Sequence, residues 1–486
     1  MDKIKRVVNA VLPVSVCNLR CHYCFLGRED RLEHSPIDPL KYSNEYIAKA
    51  LRKERMGGNC LIVLCAVGET LLAPDLLDLS TRLIAEGHYI QIVTNGILTG
   101  ELQKYASLSQ ETKNHLFFKF SFHYLEFTKR QLLNRFFNNV RLVRDAGISF
   151  TVELTANDEA IPEIPQIQEE CQRELGALCH INESRDTLRD DYGRLTKMSC
   201  EKHLTAWDIF QSDMFAFQTQ QWGKKQKNFC YAGDWLINLY LDTGNITPCL
   251  GGGSVIQNIF EDLDEPIHFA AVGQSCPWPH CFCMHATQTF GLVPNKSAPT
   301  YGQIRNRLCN DGTEWLQPEM CAFFQTTALQ SNKQYSKEKQ TYISALMGFE
   351  YKQEKSISDE EVAGAIAEGL RKKNVNSLAI YGTGTYAVWL LPLLGKSRVS
   401  LAFQVDEKYG CEDKASLMTK LKRRVKYRIK RTLNGNGQPV LLNRYDHWPK
   451  VDMVVVSDYK EITKHKAEIL AAHPQVHIVP ITELID

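Results

Sequence analysis

Apolar residues recur along this chain in two alternating rhythms. Short apolar runs stand at Val7–Pro13, Cys60–Ala66, Tyr89–Thr94, Leu116–Phe122, Phe150–Leu154 and Ala177–Ile181, and each reads as a strand. Between them lie Tyr46–Arg55, Asp75–Glu86, Thr99–Leu108, Lys129–Ala146 and Pro165–Leu175, with apolar residues at the three- and four-residue spacing of amphipathic helices. Strand and helix alternating at this length predict an α/β fold with a parallel sheet covered by helices, curved into a partial barrel, over residues 1–200. Ligands of such sheets gather at the carboxyl ends of the strands.

The rhythm breaks over residues 201–345, where aromatic residues, glycines and clustered cysteines predict a smaller domain organised around something other than a large apolar core. Residues 346–374 are polar and charged and predict a linker followed by a helix. Over 375–486 a second α/β pattern appears, with the runs SLAIYG, SLAFQVD, DMVVVSD and VHIVPI as strands. A chain of 486 residues is too long for one ordinary core, so several domains are expected. No internal repeat and no low-complexity tract is visible.

Composition narrows the class. The chain is 44% hydrophobic and 23% charged, with a net charge of +1, as in soluble globular proteins. Near-neutral charge gives no reason to expect a nucleic-acid partner. The amino-terminal stretch lacks a long apolar run and a small-residue cleavage site, so it reads as an opening strand, and a cytoplasmic location is expected. Sixteen cysteines are many for such a chain. Disulfide frameworks belong mainly to short, loop-rich secreted domains, so metal clusters are the better expectation. Cys60 and Cys65, beside an apolar strand, fit small buried hydrophobes, while Cys200, Cys309 and Cys321 are isolated.

Cys17, Cys21 and Cys24 follow the first strand with three and two residues between them. Three thiolates at this spacing can wrap one face of a 4Fe-4S cluster and leave the fourth iron open to an external amine and carboxylate. A structural zinc site that borrows His22 is the alternative. With Tyr23 just before the last cysteine, the segment resembles the signature of the radical S-adenosylmethionine (SAM) superfamily. Three further segments agree, each at the end of an expected strand. Val67-Gly68-Glu69-Thr70 is similar to the family's glycine–glycine–glutamate–proline motif, and differs from it at Val67 and Thr70. There glycine permits close backbone approach and the carboxylate pairs with the SAM ammonium. Thr94-Asn95-Gly96 is a common family pattern, and Ser121-Phe122-His123 occupies a place where a family serine contacts SAM.

The resemblance implies a partial (β/α)6, TIM-like barrel, with SAM held by Tyr23, Gly68, Glu69, Ser121 and His123. Glu153 and Arg185 are further candidates for its carboxylate or ribose, or else structural ion-pair partners. It also implies reductive cleavage of SAM to a 5′-deoxyadenosyl radical that abstracts a hydrogen atom, the electron coming from a flavodoxin- or ferredoxin-type donor.

A second group begins at Cys230 and runs through Gly244 to Cys249. It resembles the SPASM extension, or its shorter relative the twitch domain, which bind auxiliary 4Fe-4S clusters. LINLYL and ITPCL alternate around Asp242-Thr243-Gly244-Asn245 as a β-hairpin. The distal half departs from the full SPASM pattern, supplying Cys276, Cys281 and Cys283 before His285. With Cys230 and Cys249, the resemblance implies one auxiliary cluster held by Cys276 and Cys281, with Cys283 as the alternative to either. A zinc ribbon from the same residues is the rival. Cluster oxidation of a substrate radical would suit a dehydrogenation; Asp186, Asp190 and Asp191 lie near the expected barrel mouth but have no assigned role.

The strand ending at Tyr381, with Gly382 and Gly384 after it and Asp406 closing the next strand, has the glycine spacing of a Rossmann-like domain, with or without a nucleotide. Residues 414–431 are strongly basic with apolar residues at helical spacing. They fit either attraction to an acidic partner or membrane surface, or a solvated helix packed on its own domain. Similar small domains are fused to glycan-pathway enzymes, so the expected substrate is a carbohydrate or other polyol, and a ribosomally made peptide is the alternative. No peptide-recognition domain is evident before Cys17. A zinc-stabilised, non-enzymatic binding module is the rival from another class.

Overall fold

The computed structural model describes residues 4–29, 31–32, 37, 39–189, 191–249, 255–274, 276, 278–281, 284–325, 329, 331–346, 359–381, 400–405, 441–442, 448, 450–456, 462–480 and 484. The chain forms two compact units. Met1–Gly253, Asn258–Ala271 and Cys276–Lys333 make the first; Ser254–Gln257, Val272–Ser275 and Gln334–Asp486 make the second.

The first unit is built on six strands whose order in the sheet is their order in the chain: β1 (Arg6–Leu12), β2 (Cys60–Ala66), β3 (Tyr89–Thr94), β4 (Leu116–Phe122), β5 (Ser149–Thr155) and β6 (His180–Asn182). Each pairs in parallel with the next. Sequential parallel order follows from right-handed crossovers of one helix each, and the alternating pattern places those helices where periodicity predicts them. Leu76–Ala85, Thr99–Ala106, Leu133–Asp145 and Ile164–Leu175 form as expected, within a few residues at each end. The Tyr46–Arg55 stretch instead makes two helices, Asn44–Ala50 and Lys53–Met56. The Lys129–Ala146 stretch begins as a separate turn, Tyr124–Lys129, and Gln131 adopts φ 56° before the second helix starts.

The expected hairpin forms, as β7 (Leu236–Tyr240) and β8 (Asn245–Thr247) in antiparallel register. Its place was not legible in the sequence. β7 pairs in parallel with β1 and so extends the barrel sheet on the side away from β2. Gly244 closes the turn at φ 81°, with Asn258 and Phe260 so near that a Cβ would lie 2.5 Å from each, which leaves glycine as the residue that fits. Arg6 locks the approach to β7, donating through Nε to the Asp234 carbonyl and pairing with the Asp234 carboxylate at 3.0 Å.

Residues 301–325 close the amino ends of the strands. Tyr301 donates to Gln91 Oε1 at 2.6 Å, the Tyr89 ring stacks on Phe323, Phe150 donates its N–H to the Trp315 carbonyl, and the Trp315 indole donates to the Leu175 carbonyl. Trp315 is fully buried against Phe150 and His180. One end of the barrel is thereby plugged with aromatic side chains and the carboxyl end is left for chemistry.

In the second unit five parallel strands are ordered Leu441–Leu442, Ser400–Val405, Ser377–Tyr381, Met453–Val456, Ile478–Pro480. In chain order that is 3-2-1-4-5, the order of a sheet wound both ways from its first strand. Ala379, Tyr381, Trp448, Val454, Val456 and Ile469 pack as its core. Gly382, Gly384, Asp406 and the basic residues 414–431 lie outside the described residues, as do Asp190 and Cys283. No helix among the described residues is long and apolar enough to cross a membrane.

The aromatic plug yields a stability test. Trp315→Ala removes a fully buried indole and its hydrogen bond, and should lower the stability of the first unit by about 3–5 kcal/mol. Chemical denaturation followed by tryptophan fluorescence measures it; a loss of under about 1 kcal/mol would mean that this segment does not brace the barrel.

Candidate functional site

On β2, β3 and β4, residues Val63, Cys65, Val93, Lys119 and Ser121 are only partly buried, while their neighbours Leu64, Ile92, Phe118 and Phe120 are buried. Side chains alternate along a strand, and Val11 pairs with Cys65, Val93 with Lys119, and Ser121 with Glu153, so these open positions share one face. The opposite face lies under the helices. The barrel therefore has an accessible inner wall towards its carboxyl end, lined by Cys65, Val93, Lys119 and Ser121.

The loop after β1 carries Cys17, Cys21 and Cys24 to this mouth. The N–H of Gly68 donates to the Val14 carbonyl at 2.6 Å and that of Glu69 to the Val16 carbonyl at 2.9 Å. A Cβ at position 68 would lie 1.9 Å from the Val16 oxygen, so the approach to Cys17 requires a residue without a side chain. Glu69 is buried, and its carboxylate accepts from Thr94 Oγ1 at 2.6 Å, from the Asn95 N–H at 2.8 Å and from the Leu71 N–H at 3.0 Å. Burial holds its pKa above the usual carboxylate range, and these donors offset only part of the rise. Asn95 in turn donates to Asn18 Oδ1 at 2.6 Å, directly beside Cys17. The two segments singled out at the ends of the second and third strands thus brace the cysteine loop.

The three thiols are half-buried neighbours. Burial is the main cause that raises the pKa of Cys17 and of Cys21. Glu69 and Cys24 raise that of Cys17 further, and Cys24, Glu126 and Cys17 that of Cys21. Three thiolates so close together need a strongly electropositive partner, which iron supplies and water does not. In this respect the triad fits a thiolate-bound cluster. His22, which the zinc alternative would borrow, has its Nε2 bonded to Glu159 Oε2 at 3.0 Å. Among the described residues no three His, Cys, Asp or Glu side chains surround a position for a single metal ion.

Tyr23 is buried between the loop and the end of β4. Its hydroxyl lies 2.7 Å from His123 Nδ1, with the two rings stacked at 5.9 Å. Burial, and secondarily the Lys119 ammonium, lower the His123 pKa to about 4, so its imidazole is neutral.

Glu153 and Arg185 part company. Glu153 is buried on β5 and ion-paired on both sides, to Lys119 Nζ at 2.9 Å and to the Arg305 guanidinium. That is the arrangement of a structural ion pair. Arg185 stands after β6 with its guanidinium 5.5 Å from the Trp222 ring centre; Arg194, 4.9 Å from the same ring, pairs with Glu183. Lys119, Arg305, Asn182, Gln218 and Glu183 escaped the sequence reading, because each is a lone polar residue in an ordinary setting until the fold gathers them. Gln218 joins three of the elements: its Nε2 donates to Asn182 Oδ1 at 2.7 Å and to His285 Nδ1 at 2.8 Å, and its Oε1 accepts from the Glu183 N–H.

The second cysteine group also converges. Burial raises the Cys230 pKa, and Cys281, Cys249 and Cys276 each add to the rise. Four cysteines, flanking the hairpin and in the segment after it, with Cys230 influenced by the other three, fit a second thiolate-bound cluster by the same chemistry as the first. His280, between the last two, has its pKa lowered to about 4 by burial and by Arg185 and Arg194, and its ring packs 4.7 Å from that of Trp222. Cys309, by contrast, donates to the Leu175 carbonyl at the amino end of the barrel and takes no part.

Residues 11–162 match the family model of the Radical SAM superfamily. No curated protein sequence matches the chain. Similar solved structures include Streptococcus suis SuiB, at 15% identity and a TM-score of 0.37 over 54% of this chain and 65% of that one, so the likeness spans less than two thirds of SuiB. They also include anSMEcpe with bound AdoMet, at 14% identity and a TM-score of 0.36 over 53% of this chain and 79% of that one. BtrN in complex with AdoMet and 2-DOIA is similar at 14% identity and a TM-score of 0.26 over 54% and 81%.

Two substitutions separate bracing from binding. Gly68→Ala should leave the protein folded by circular dichroism and sharply lower the iron it takes up at the first triad; iron content equal to wild type would show that the contact with Val16 does not set the loop. Glu153→Gln leaves the buried Arg305 without its counter-charge and should cost about 3–5 kcal/mol of stability. A variant of unchanged stability that binds SAM weakly in calorimetry would instead place Glu153 on the ligand.

Proposed function

We propose that this chain, with its Radical SAM domain over residues 11–162, is an enzyme that cleaves SAM reductively and abstracts a hydrogen atom from a polar substrate held in the barrel mouth. The observation that carries this is the position of three neighbouring cysteines, Cys17, Cys21 and Cys24, in the loop at the carboxyl end of a six-stranded parallel sheet, braced by Gly68 and Glu69.

Cys17, Cys21 and Cys24 would hold the catalytic 4Fe-4S cluster, which when bound supplies the electron that breaks the SAM carbon–sulfur bond. The remaining work belongs to the chain. Gly68 keeps the wall thin beside Val16, so a ligand amino group can approach backbone carbonyls there. Glu69 holds the Thr94–Asn95 turn, and its negative charge favours an ammonium nearby. Ser121, on the open face of β4, presents a hydroxyl to whatever lies in the mouth, and Lys119 presents an ammonium already shared with Glu153. Stacked aromatic side chains close the opposite end of the barrel and keep water from entering through it.

Cys230, Cys249, Cys276 and Cys281 would hold an auxiliary 4Fe-4S cluster, a SPASM- or twitch-like feature. Four protein thiolates leave no iron open to substrate, which suits an electron relay or acceptor. The second unit serves as a Rossmann-like appendage. A wall bearing Lys119, Ser121, Asn182 and Arg185 favours a hydroxyl-rich substrate, a carbohydrate or other polyol, with oxidation, epimerisation or bond formation as the outcome; a peptide substrate is the competing class. A flavodoxin- or ferredoxin-type protein would be the electron donor.

Anaerobic purification with iron and sulfide counting, followed by dithionite, SAM and measurement of 5′-deoxyadenosine, provides the test. About eight irons per chain are expected, falling to about four with loss of 5′-deoxyadenosine in Cys17→Ala/Cys21→Ala/Cys24→Ala. Stoichiometric zinc with intact SAM would replace the enzyme with a zinc-stabilised binding module.

A further inference from the structure

The loop that leaves β6 brings two arginines over one indole. Arg185 and Arg194 face each other across an antiparallel bridge. Three hydrogen bonds brace it: the Asp186 N–H donates to the Gly193 carbonyl at 2.8 Å, the Leu195 N–H to the Ser184 carbonyl at 3.2 Å, and Ser184 Oγ to the Leu195 carbonyl at 3.3 Å. Residues paired across such a bridge put their side chains on one face. Here both guanidinium groups reach the ring of Trp222, at 5.5 Å for Arg185 and 4.9 Å for Arg194. The His280 ring packs against the same indole at 4.7 Å, and Tyr192, in the turn of the loop, meets Trp278 edge-on at 5.2 Å.

Two like charges drawn to one platform repel each other. Glu183 offsets part of that cost: its Oε1 accepts from Arg194 Nε at 2.7 Å, and its Oε2 lies 3.1 Å from Nε2 of the buried His203. Arg194 Nη1 donates to the Cys200 sulfur at 3.5 Å, which leaves Nη2 without a hydrogen bond among the described residues. Two other acids of the loop turn elsewhere, Asp186 to Arg28 at 3.1 Å and Asp191 to Arg189 at 2.8 Å. Both arginines are half-buried. An indole under a guanidinium holds its plane and partly desolvates it, while the N–H edge can still fork onto an oxyanion. The loop is anchored on two sides of the barrel mouth. Arg28, in the helix Phe25–Arg28 that follows Cys24, holds Asp186, and Gln218, four residues before Trp222, ties Asn182 to His285.

Resting on the reading of the barrel mouth as the substrate site, we propose that Arg185 and Arg194 bind an oxyanion of the substrate, a phosphoryl or carboxylate group. The molecule modified is then an anionic carbohydrate and not a neutral polyol. Two guanidinium forks match the several oxygens of such a group, and a point charge would not select its orientation. The oxyanion anchors the substrate at the β6 edge of the mouth. Trp222 acts as a positioning residue that keeps the two forks together, and Glu183 sets the direction of the second.

The test is calorimetry on the anaerobically reconstituted full chain, with glucose 6-phosphate, glucuronate and glucose as the probes. At least one of the two anions should bind and glucose should not, and the tighter of the two identifies the oxyanion as phosphoryl or carboxylate. Binding should weaken as salt is added. Arg185→Gln should weaken it by about tenfold, as expected for the loss of one charge-assisted fork. Arg185→Lys, which keeps the charge without the fork, should restore part of the loss. Arg194→Gln should act in the same direction, but it also strips the buried Glu183 of its counter-charge; should that variant fail to fold, Arg185→Gln decides. Iron content and SAM affinity, measured on the same samples, should match wild type in Arg185→Gln. A variant that binds the anions as wild type does and SAM weakly would place Arg185 on SAM and overturn the inference. So would glucose binding as tightly as its anionic relatives, or no binding of either anion. The enzyme reading fails separately: a wild-type chain without iron that leaves SAM intact, yet binds the anions through Arg185, ends that reading and leaves the oxyanion site standing.

Discussion

A side chain at position 68 has nowhere to go. The Gly68 N–H and the Glu69 N–H are hydrogen-bonded to the Val14 and Val16 carbonyls, which draws the end of β2 against the strand exit that leads to Cys17, and a Cβ there would collide with the Val16 oxygen. That single close approach fixes the course of the cysteine loop. The next residue then does the rest: the Glu69 carboxylate gathers Leu71, Thr94 and Asn95, and Asn95 reaches back to Asn18. Three strand ends and the loop become one hydrogen-bonded body. A buried carboxylate that met no donors would cost several kcal/mol, so the donors and the carboxylate require each other.

This arrangement also explains which parts of the site were visible in the sequence. The cysteine spacing, the Gly68–Glu69 pair, the Thr94–Asn95 turn and Ser121 are local signals: each follows a short apolar run, and each strand end can be read from periodicity alone. The partners that make them work are not local. Asn18 is an unremarked residue between two cysteines, and Arg305 meets Glu153 across a large separation in sequence. Glu153 shows the limit most clearly. A carboxylate on an inward-facing strand position looks like a ligand in sequence, and only the arrival of Arg305 from the amino-end plug, with Lys119 from the neighbouring strand, accounts for its charge within the protein.

The same division holds for the fold. Five of the six barrel strands start and end within one residue of where the apolar runs place them, because a strand buried on both faces is nearly continuous in hydrophobic residues. The last, His180–Asn182, begins three residues late, since Ala177 to Cys179 still belong to the turn that leaves the helix at Gly176. Periodicity found the hairpin at Leu236 but carried no information about its neighbour. Parallel pairing with β1 is a long-range choice, made here by Arg6, whose guanidinium binds Asp234 and whose face lies 3.6 Å from the Phe269 ring centre.

That pairing has a mechanical consequence for the two cysteine groups. β1 delivers the chain to Cys17 at its carboxyl end, and β7, in parallel beside it, delivers the chain to the hairpin turn at the same end, while Cys230 before β7 and Cys249 after β8 flank the open end of the hairpin. Neighbouring parallel strands are held at a fixed spacing by their ladder, so the hairpin and the first cysteine loop share one rigid edge. Segments joined only by loops would let their separation wander; adjacent strands of one sheet do not. Gln218 extends the same constraint to the far edge of the barrel, where it ties His285, shortly after Cys281, to Asn182 at the end of β6. The segment bearing the distal cysteines is thus pinned to β6 while the hairpin bearing the proximal pair is pinned to β1.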